Sequence, residues 1–177
     1  TLSSLVEGFY SRGLNLMVSD TFTVQLRSSS SPDNVIDYST SILNTSGVGT
    51  FDFDSVTYGI PYYIVLKHRN SIETWSATAQ SFVSGSFFYN FTNSSSQAFG
   101  SNMTQVDNSP VRFAIYGGDV NQDGTVDATD VSMIDNNAAN FVSGYVVTDL
   151  TGDDFVDATD FAIADNNAAN FVIAVTP

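Results

Sequence analysis

Apolar and polar residues alternate along the first two thirds of the chain. In "TFTVQLR", Phe22, Val24 and Leu26 point one way and Thr23, Gln25 and Arg27 the other, the period of a half-buried strand. "GTFDFDSV" sets Phe51 and Phe53 against Asp52 and Asp54, and "PYYIVLKHR", "GSFFYNFT" and "VRFAIY" are aromatic and β-branched runs that predict further strands. Turn-forming clusters separate them: "RSSSSPDN", "NTSGVG", "TYGIP" and "TNSSSQ". From Leu5 to about Tyr116 this spacing predicts an antiparallel β-sandwich with no long amphipathic helix.

The pattern changes at Gly117–Gly118. Behind that point Val131, Ile134, Ala138 and Phe141 recur at i, i+3, i+7 and i+10, and so do Phe161, Ala164, Ala168 and Phe171. Each set predicts one apolar helix face, and two such faces can bury each other. Aligned without a gap, residues 118–147 and 148–177 are identical at fifteen of thirty positions, including "VDATD" and "DNNAANFV", which identifies an internal duplication. The predicted fold class is mainly β with a small α part: residues 1–117 as a sandwich, 118–177 as two loop–helix repeats.

Charge sharpens the same boundary. The net charge is −14; all five Lys and Arg precede Gly118, and eleven Asp and no basic residue follow it. That balance repels phosphate backbones and anionic lipid, so nucleic acid is excluded as a partner, and no apolar run is long enough for membrane insertion. With no cysteine, thiolate chemistry and disulfides are excluded as well. His68 is the only histidine and has no sequence partners for a triad or a zinc site. No paired carboxylates, phosphate loop or nucleophile elbow occurs, so no catalytic residue is assigned and an enzyme is not expected.

The carboxylates of each repeat fall at the positions of a twelve-residue oxygen-donor loop, which ligates through positions 1, 3, 5, 7 (by its carbonyl), 9 and 12. In the first these are Asp119, Asn121, Asp123, Thr125, Asp127 and Asp130, with Gly124 at the sharp turn of position 6; in the second they are Asp149, Thr151, Asp153, Phe155, Asp157 and Asp160, with Asp154 at position 6. Two carboxylates about 5 Å apart repel by roughly 3 kcal/mol at an effective dielectric near 20. Several such pairs on one short loop favour a bound cation over a merely solvated acidic run. The expected cofactor is Ca²⁺, two ions, which would reduce the −11 of residues 118–177 to about −7.

Neither loop follows an amphipathic helix, so the units are loop–helix and not full EF-hands. Two "D-x-[NT]-x-D-x-x-x-x-x-x-D" loops, a helix after each, near-exact duplication and a C-terminal position resemble the dockerin family. The resemblance implies two Ca²⁺, docking onto cohesin modules in secreted bacterial assemblies, and partner reading by loop positions 10 and 11, here Ala128, Thr129, Ala158 and Thr159, and by the helix face. Dockerins commonly carry Lys or Arg soon after position 12; this chain has Asp135-Asn136-Asn137 and Asp165-Asn166-Asn167. Ahead of the repeats, "TSGVGTFDFDSVTYGIPYYIVLKHR" resembles prealbumin-like and carboxypeptidase-regulatory-like sandwiches, which implies a fold and a secreted setting.

Two functions follow. Read as a complete mature chain, the protein has no catalytic cargo and is expected to be an extracellular structural protein that self-assembles into a fibril, filament or surface layer. Its "TLSSLVEGFYS" stretch would complete a neighbour's sheet. The alternative is a docking module that attaches a larger secreted protein to a cohesin-type or cell-surface partner. The basic "KHR" (Lys67, His68, Arg69) could dock against an acidic surface, the chain's own or a neighbour's, or end a strand in solvent. Trp75 could stack on sugar or sit in the core. Asn44, Asn90, Asn93 and Asn102 open N-x-S/T triplets that can carry glycans, although so Asn-, Ser- and Thr-rich a chain also produces such triplets by composition alone.

Overall fold

The computed structural model describes residues 1–83 and 85–177. Its strands are β1 (Leu2–Ser3), β2 (Tyr10–Ser11), β3 (Leu16–Met17), β4 (Asp20–Ser28), β5 (Val35–Leu43), β6 (Val48–Gly49), β7 (Pro61–His68), β8 (Ser71–Trp75), β9 (Gln80–Ser81), β10 (Tyr89–Asn90), β11 (Thr104–Asn108) and β12 (Val111–Ala114). Helices α1 (Ala128–Ala139) and α2 (Ala158–Ala169) follow. The main sheet runs β5-β4-β7-β8 with β9 also on β7, all antiparallel; β10-β1-β6 form a second sheet in which β1 is parallel to β10.

The period-two reading of β4 holds. Phe22, Val24 and Leu26 are buried, and the register places Val24 beside Leu66 and Leu26 beside Ile64, so one face of the sheet is continuously apolar. It packs on Leu2, Leu5, Val6, Phe51, Phe91 and Ile115 in a single core. Trp75 is buried as well, with Tyr63 edge-on at 5.8 Å and the Arg27 guanidinium 4.7 Å over its ring, so it belongs to the packing and offers no sugar platform.

Some expectations are corrected. "GTFDFDSV" keeps its alternation but forms no ladder beyond Gly49, because side chains of β5 take its donors: Asp52 N–H goes to Ser39 Oγ, and the N–H groups of Asp54 and Ser55 to Asp37 Oδ2. "GSFFYNFT" contributes only the two residues of β10. Two real strands carried little pattern: β5 buries only Leu43, and β8 is buried along nearly all its length. The amino-terminal stretch is not a loose edge. Strand β1 is paired on both sides, the terminal ammonium donates to Phe87 O at 2.9 Å, and Leu2, Leu5, Val6 and Phe9 lie in the core, so donating this strand would open the sandwich.

In the carboxy-terminal part Ile134 and Ala164 are fully buried between the helices, with Val131, Ala138 and Phe161 against them. Phe141 and Phe171 break the predicted face: each lies past the end of its helix and is exposed, and the residues that turn inward are Val142 and Val172. The helical period stops at Asn140 and Asn170, so it cannot place the next residue. Among the described residues no helix is long and apolar enough to cross a membrane.

Candidate metal centre

Both loops are built by the same local rules. Asp127 and Asp157 are N-caps that accept from the N–H of Thr129 and Thr159 at 2.7 Å, and Asp130 and Asp160 complete capping boxes by accepting from the N–H of those caps. Asp130 also accepts from Val120 N–H at 2.9 Å, and Asp160 from Leu150 N–H at 2.7 Å, which ties each loop's start to its helix. Gly124 has φ +88 and Asp154 has φ +68, so both loops make the sharp turn at position 6, the second with a side chain present.

The loops clasp each other. Thr125 bridges Ile173 and Ser143 bridges Phe155; Val126 N–H donates to Val172 O at 2.9 Å and Val156 N–H to Val142 O at 3.0 Å. Each loop therefore pairs with the segment that follows the other repeat's helix, and all twelve candidate donors stand on one pseudo-symmetric unit.

Asp119, Asp130, Asp149 and Asp160 are buried, while Asn121, Asp123, Asp153, Phe155 and Asp157 are exposed and Thr125, Asp127 and Thr151 half-buried. As the loops stand, the carboxylates are turned onto backbone N–H groups, Asp119 onto those of Asp123 and Gly124, and Asp149 onto those of Gly152 and Asp154. Among the described residues no three carboxylate or imidazole side chains converge on one point. Burial, reinforced by the nearby Asp130 and Asp123, pushes the Asp119 carboxyl up to about 6, and burial also raises Asp160. Buried, mutually repelling, all-oxygen donors fit a hard divalent cation and suit neither zinc nor copper.

The sandwich touches both loops through the β7–β8 turn. Arg69 Nη2 lies 3.6 Å from Asp149 Oδ2, and its guanidinium also donates to Val146 O and to Asp20, and stacks 4.3 Å over Tyr145. Asn70 donates to Asp149 O at 2.7 Å and accepts from Gly118 N–H at 2.7 Å; Gln122, inside loop 1, donates to Ser71 O and to Asp119 O. Of "KHR", Arg69 thus docks on the chain's own acidic part, while Lys67 pairs with Glu73 and His68 with Asp20 inside the sandwich. His68 itself is buried, with Nε2 3.2 Å from Asp20 Oδ2 and Nδ1 3.0 Å from Ser71 Oγ; burial lowers its pKa. Burial pushes the Asp20 carboxyl up, yet hydrogen bonds from His68, Tyr145 and Arg69 hold it well below the usual carboxylate range.

Asn167 donates to Glu7 Oε2 at 2.6 Å and to Gly117 O at 2.9 Å, and a Cβ on Gly8 would stand 2.1 Å from Leu150 O, so the two parts meet with no room for a side chain there. Of this clamp, sequence reasoning found only the basic cluster. Asp20, Asn70, Gln122 and Tyr145 left no signal, because each acts across a fold contact and not at a local spacing.

Residues 117–167 match the family model of the dockerin type I domain. The chain carries a dockerin-like module behind a β-sandwich. Dockerin domains bind calcium, and they are docking modules with no catalytic role. Two solved structures are similar over nearly the whole chain. One is a C-terminal interface mutant of the type II cohesin–X–dockerin complex from Acetivibrio cellulolyticus (14% identity, TM-score 0.55, covering 96% of this chain and 97% of that one). The other is an N-terminal interface mutant of that complex (14% identity, TM-score 0.51, covering 96% and 98%). At such identity the likeness is one of fold, and it takes in the sandwich as well as the dockerin-like module. No curated protein matches the chain significantly. The four loop positions that dockerins use for partner reading, Ala128, Thr129, Ala158 and Thr159, are all exposed here.

Proposed function

We propose that this is an extracellular, non-enzymatic docking protein in which residues 118–177, the dockerin, bind two Ca²⁺ and attach to a cohesin-type module of another protein, while residues 1–117 brace the dockerin from behind. Asp119, Asn121, Asp123, Thr125, Asp127 and Asp130 hold one ion, and Asp149, Thr151, Asp153, Phe155, Asp157 and Asp160 the other, with Thr125 and Phe155 giving their carbonyls. The observation that carries the reading is the reciprocal clasp of two oxygen-rich loops, each opening a capped helix, with one side fixed on the sandwich and the other facing solvent. Self-assembly by strand exchange, the other expectation from sequence, draws no support from a β1 that is paired on both sides.

Calorimetry of the full chain should give two equivalents of Ca²⁺ at the roughly millimolar level at which extracellular modules fill. The loaded chain should bind an immobilised type II cohesin or a member of a cohesin panel, and chelator should release it. Zero equivalents, a preference for zinc, or binding that survives chelation would sink the proposal.

A further inference from the structure

The docking reading leaves open what the module grips with, and two side chains answer. Each repeat ends its helix in the same manner: Asn140 or Asn170 caps it, and Phe141 or Phe171 then adopts φ 53 or 55, a left-handed backbone where glycine usually stands and a bulky residue is an outlier. That turn sends Val142 and Val172 inward and both rings outward, 90% and 85% exposed. Inside the chain neither ring offsets the strain of its backbone, and glycine would close both helices at lower cost. Because the end of α1 pairs with loop 2 and the end of α2 with loop 1, the rings stand at opposite ends of the helix pair.

The surroundings specify what covers them. Asp135 and Asp165 are exposed on α1 and α2 and belong to neither ligand set, so they keep their charge when calcium is bound. Beside Phe171 an open groove of about 450 Å³ has Val126, Val131, Ala168 and Ile173 along it and Asp127 and Asp165 among its lining. With Asp127 given to calcium, Asp165 is the carboxylate left beside this apolar floor, which accepts the aliphatic stem of a long basic side chain and meets its charged head. A second copy of this chain is a poor occupant. It carries −14 overall, its dockerin has no Lys or Arg, and each of its five basic residues already bonds within the chain, Arg12 to Val106 O, Arg27 and Lys67 to Glu73, Arg69 to Asp20, and Arg112 to Asn15.

We propose that Phe141 and Phe171 are the two anchors of the docking surface and that the partner is a different protein whose face is basic around apolar recesses, with a Lys or Arg entering the groove beside Phe171. This rests on the docking function above and adds the chemistry of the face that the dockerin selects.

The test uses the calcium-loaded full chain against purified cohesin modules that range from basic-faced to acidic-faced, by biolayer interferometry at about 0.05 and about 0.5 M NaCl. The basic-faced members should bind tightest, and by a margin that shrinks with salt. F141N/F171N should weaken binding by about 100-fold or more while calcium stoichiometry stays the same and the melting temperature does not fall, since Asn tolerates the left-handed turn. Unchanged affinity in that variant, or a preference for acidic faces, would overturn this inference and leave the docking function standing. Binding by no member would remove both. Sedimentation of the chain alone closes the remaining route: a dimer lost in F141N/F171N would make a second copy the occupant and overturn the basic-partner assignment.

Discussion

The two repeats share "VDATD" and "DNNAANFV" and the same caps, yet they sit in different company. Asn137 bonds within the dockerin-like module, to Thr148 Oγ1 at 2.8 Å, whereas its counterpart Asn167 is buried and joins Glu7 of the sandwich to Gly117. Loop 1 meets the sandwich through a neutral amide, Gln122 on Ser71 O; loop 2 meets it through the Asn70 amide and, in addition, a cation, Arg69 beside Asp149. Duplication therefore fixes local geometry, and the neighbouring sheet decides how each copy is used. The copies differ least where they face solvent, at Phe141 and Phe171, and most where they face β8 and the Glu7–Gly8 segment.

Removing one ion at a time breaks the symmetry most strongly. Asp123→Ala and Asp153→Ala should each delete one equivalent of Ca²⁺ and, at about a hundredfold excess over the dissociation constant, cost roughly 3 kcal/mol of metal-linked stability. An emptied loop 2 still has the Arg69 guanidinium near Asp149, while an emptied loop 1 leaves Asp119 buried near Asp130 with no cation paired to it among the described residues. Asp123→Ala is therefore expected to lower the melting temperature more than Asp153→Ala. Equal losses by scanning calorimetry would mean that the sandwich has no part in holding the loops.

The contact itself comes next. Arg69→Ala removes the partner of two buried carboxylates, Asp20 and Asp149, and should cost on the order of 3 kcal/mol. Gln122→Ala loses one neutral bond to the sandwich and should cost about 1 kcal/mol. Denaturant melts in chelator, where calcium no longer masks the difference, would measure both. A larger loss at Gln122 would reverse the proposed asymmetry.

How much of this was legible in the sequence follows the range of the interactions. The loops and both helices were readable because ligand spacing, capping and the 3.6-residue period act within about a dozen residues. Strand β4 was readable for the same reason, having one buried face and one wet face. Strand β8 is buried almost throughout, and β5 alternates in burial but sets Tyr38 and Ile42 on its exposed side, so in neither do apolar positions mark an inner face. Phe141 and Phe171 were misplaced because a periodic argument assumes that the helix continues, and the left-handed turn at its end has no signature when Phe replaces glycine. The Asp20–His68–Arg69–Tyr145 cluster was invisible as a whole: Tyr145 lies 125 residues from the Asp20 it bonds at 2.6 Å.

The smallest expected effect bears on why the repeats diverged at loop position 6. Asp154 carries φ +68 where Gly124 carries φ +88, and only Gly124 takes such a conformation without cost. Asp154→Gly should relieve that strain, partly offset by the greater freedom glycine has in the unfolded chain, for a net gain of roughly 0.5 kcal/mol. The substitution also removes an exposed carboxylate from a crowded loop, so Asp154→Asn, which keeps a side chain that tolerates this backbone, separates charge from strain. Calcium affinity and melting temperature should rise with Gly by more than with Asn if the backbone limits loop 2. Equal gains from the two variants would assign the cost to charge, and the two loops would then differ in electrostatics alone.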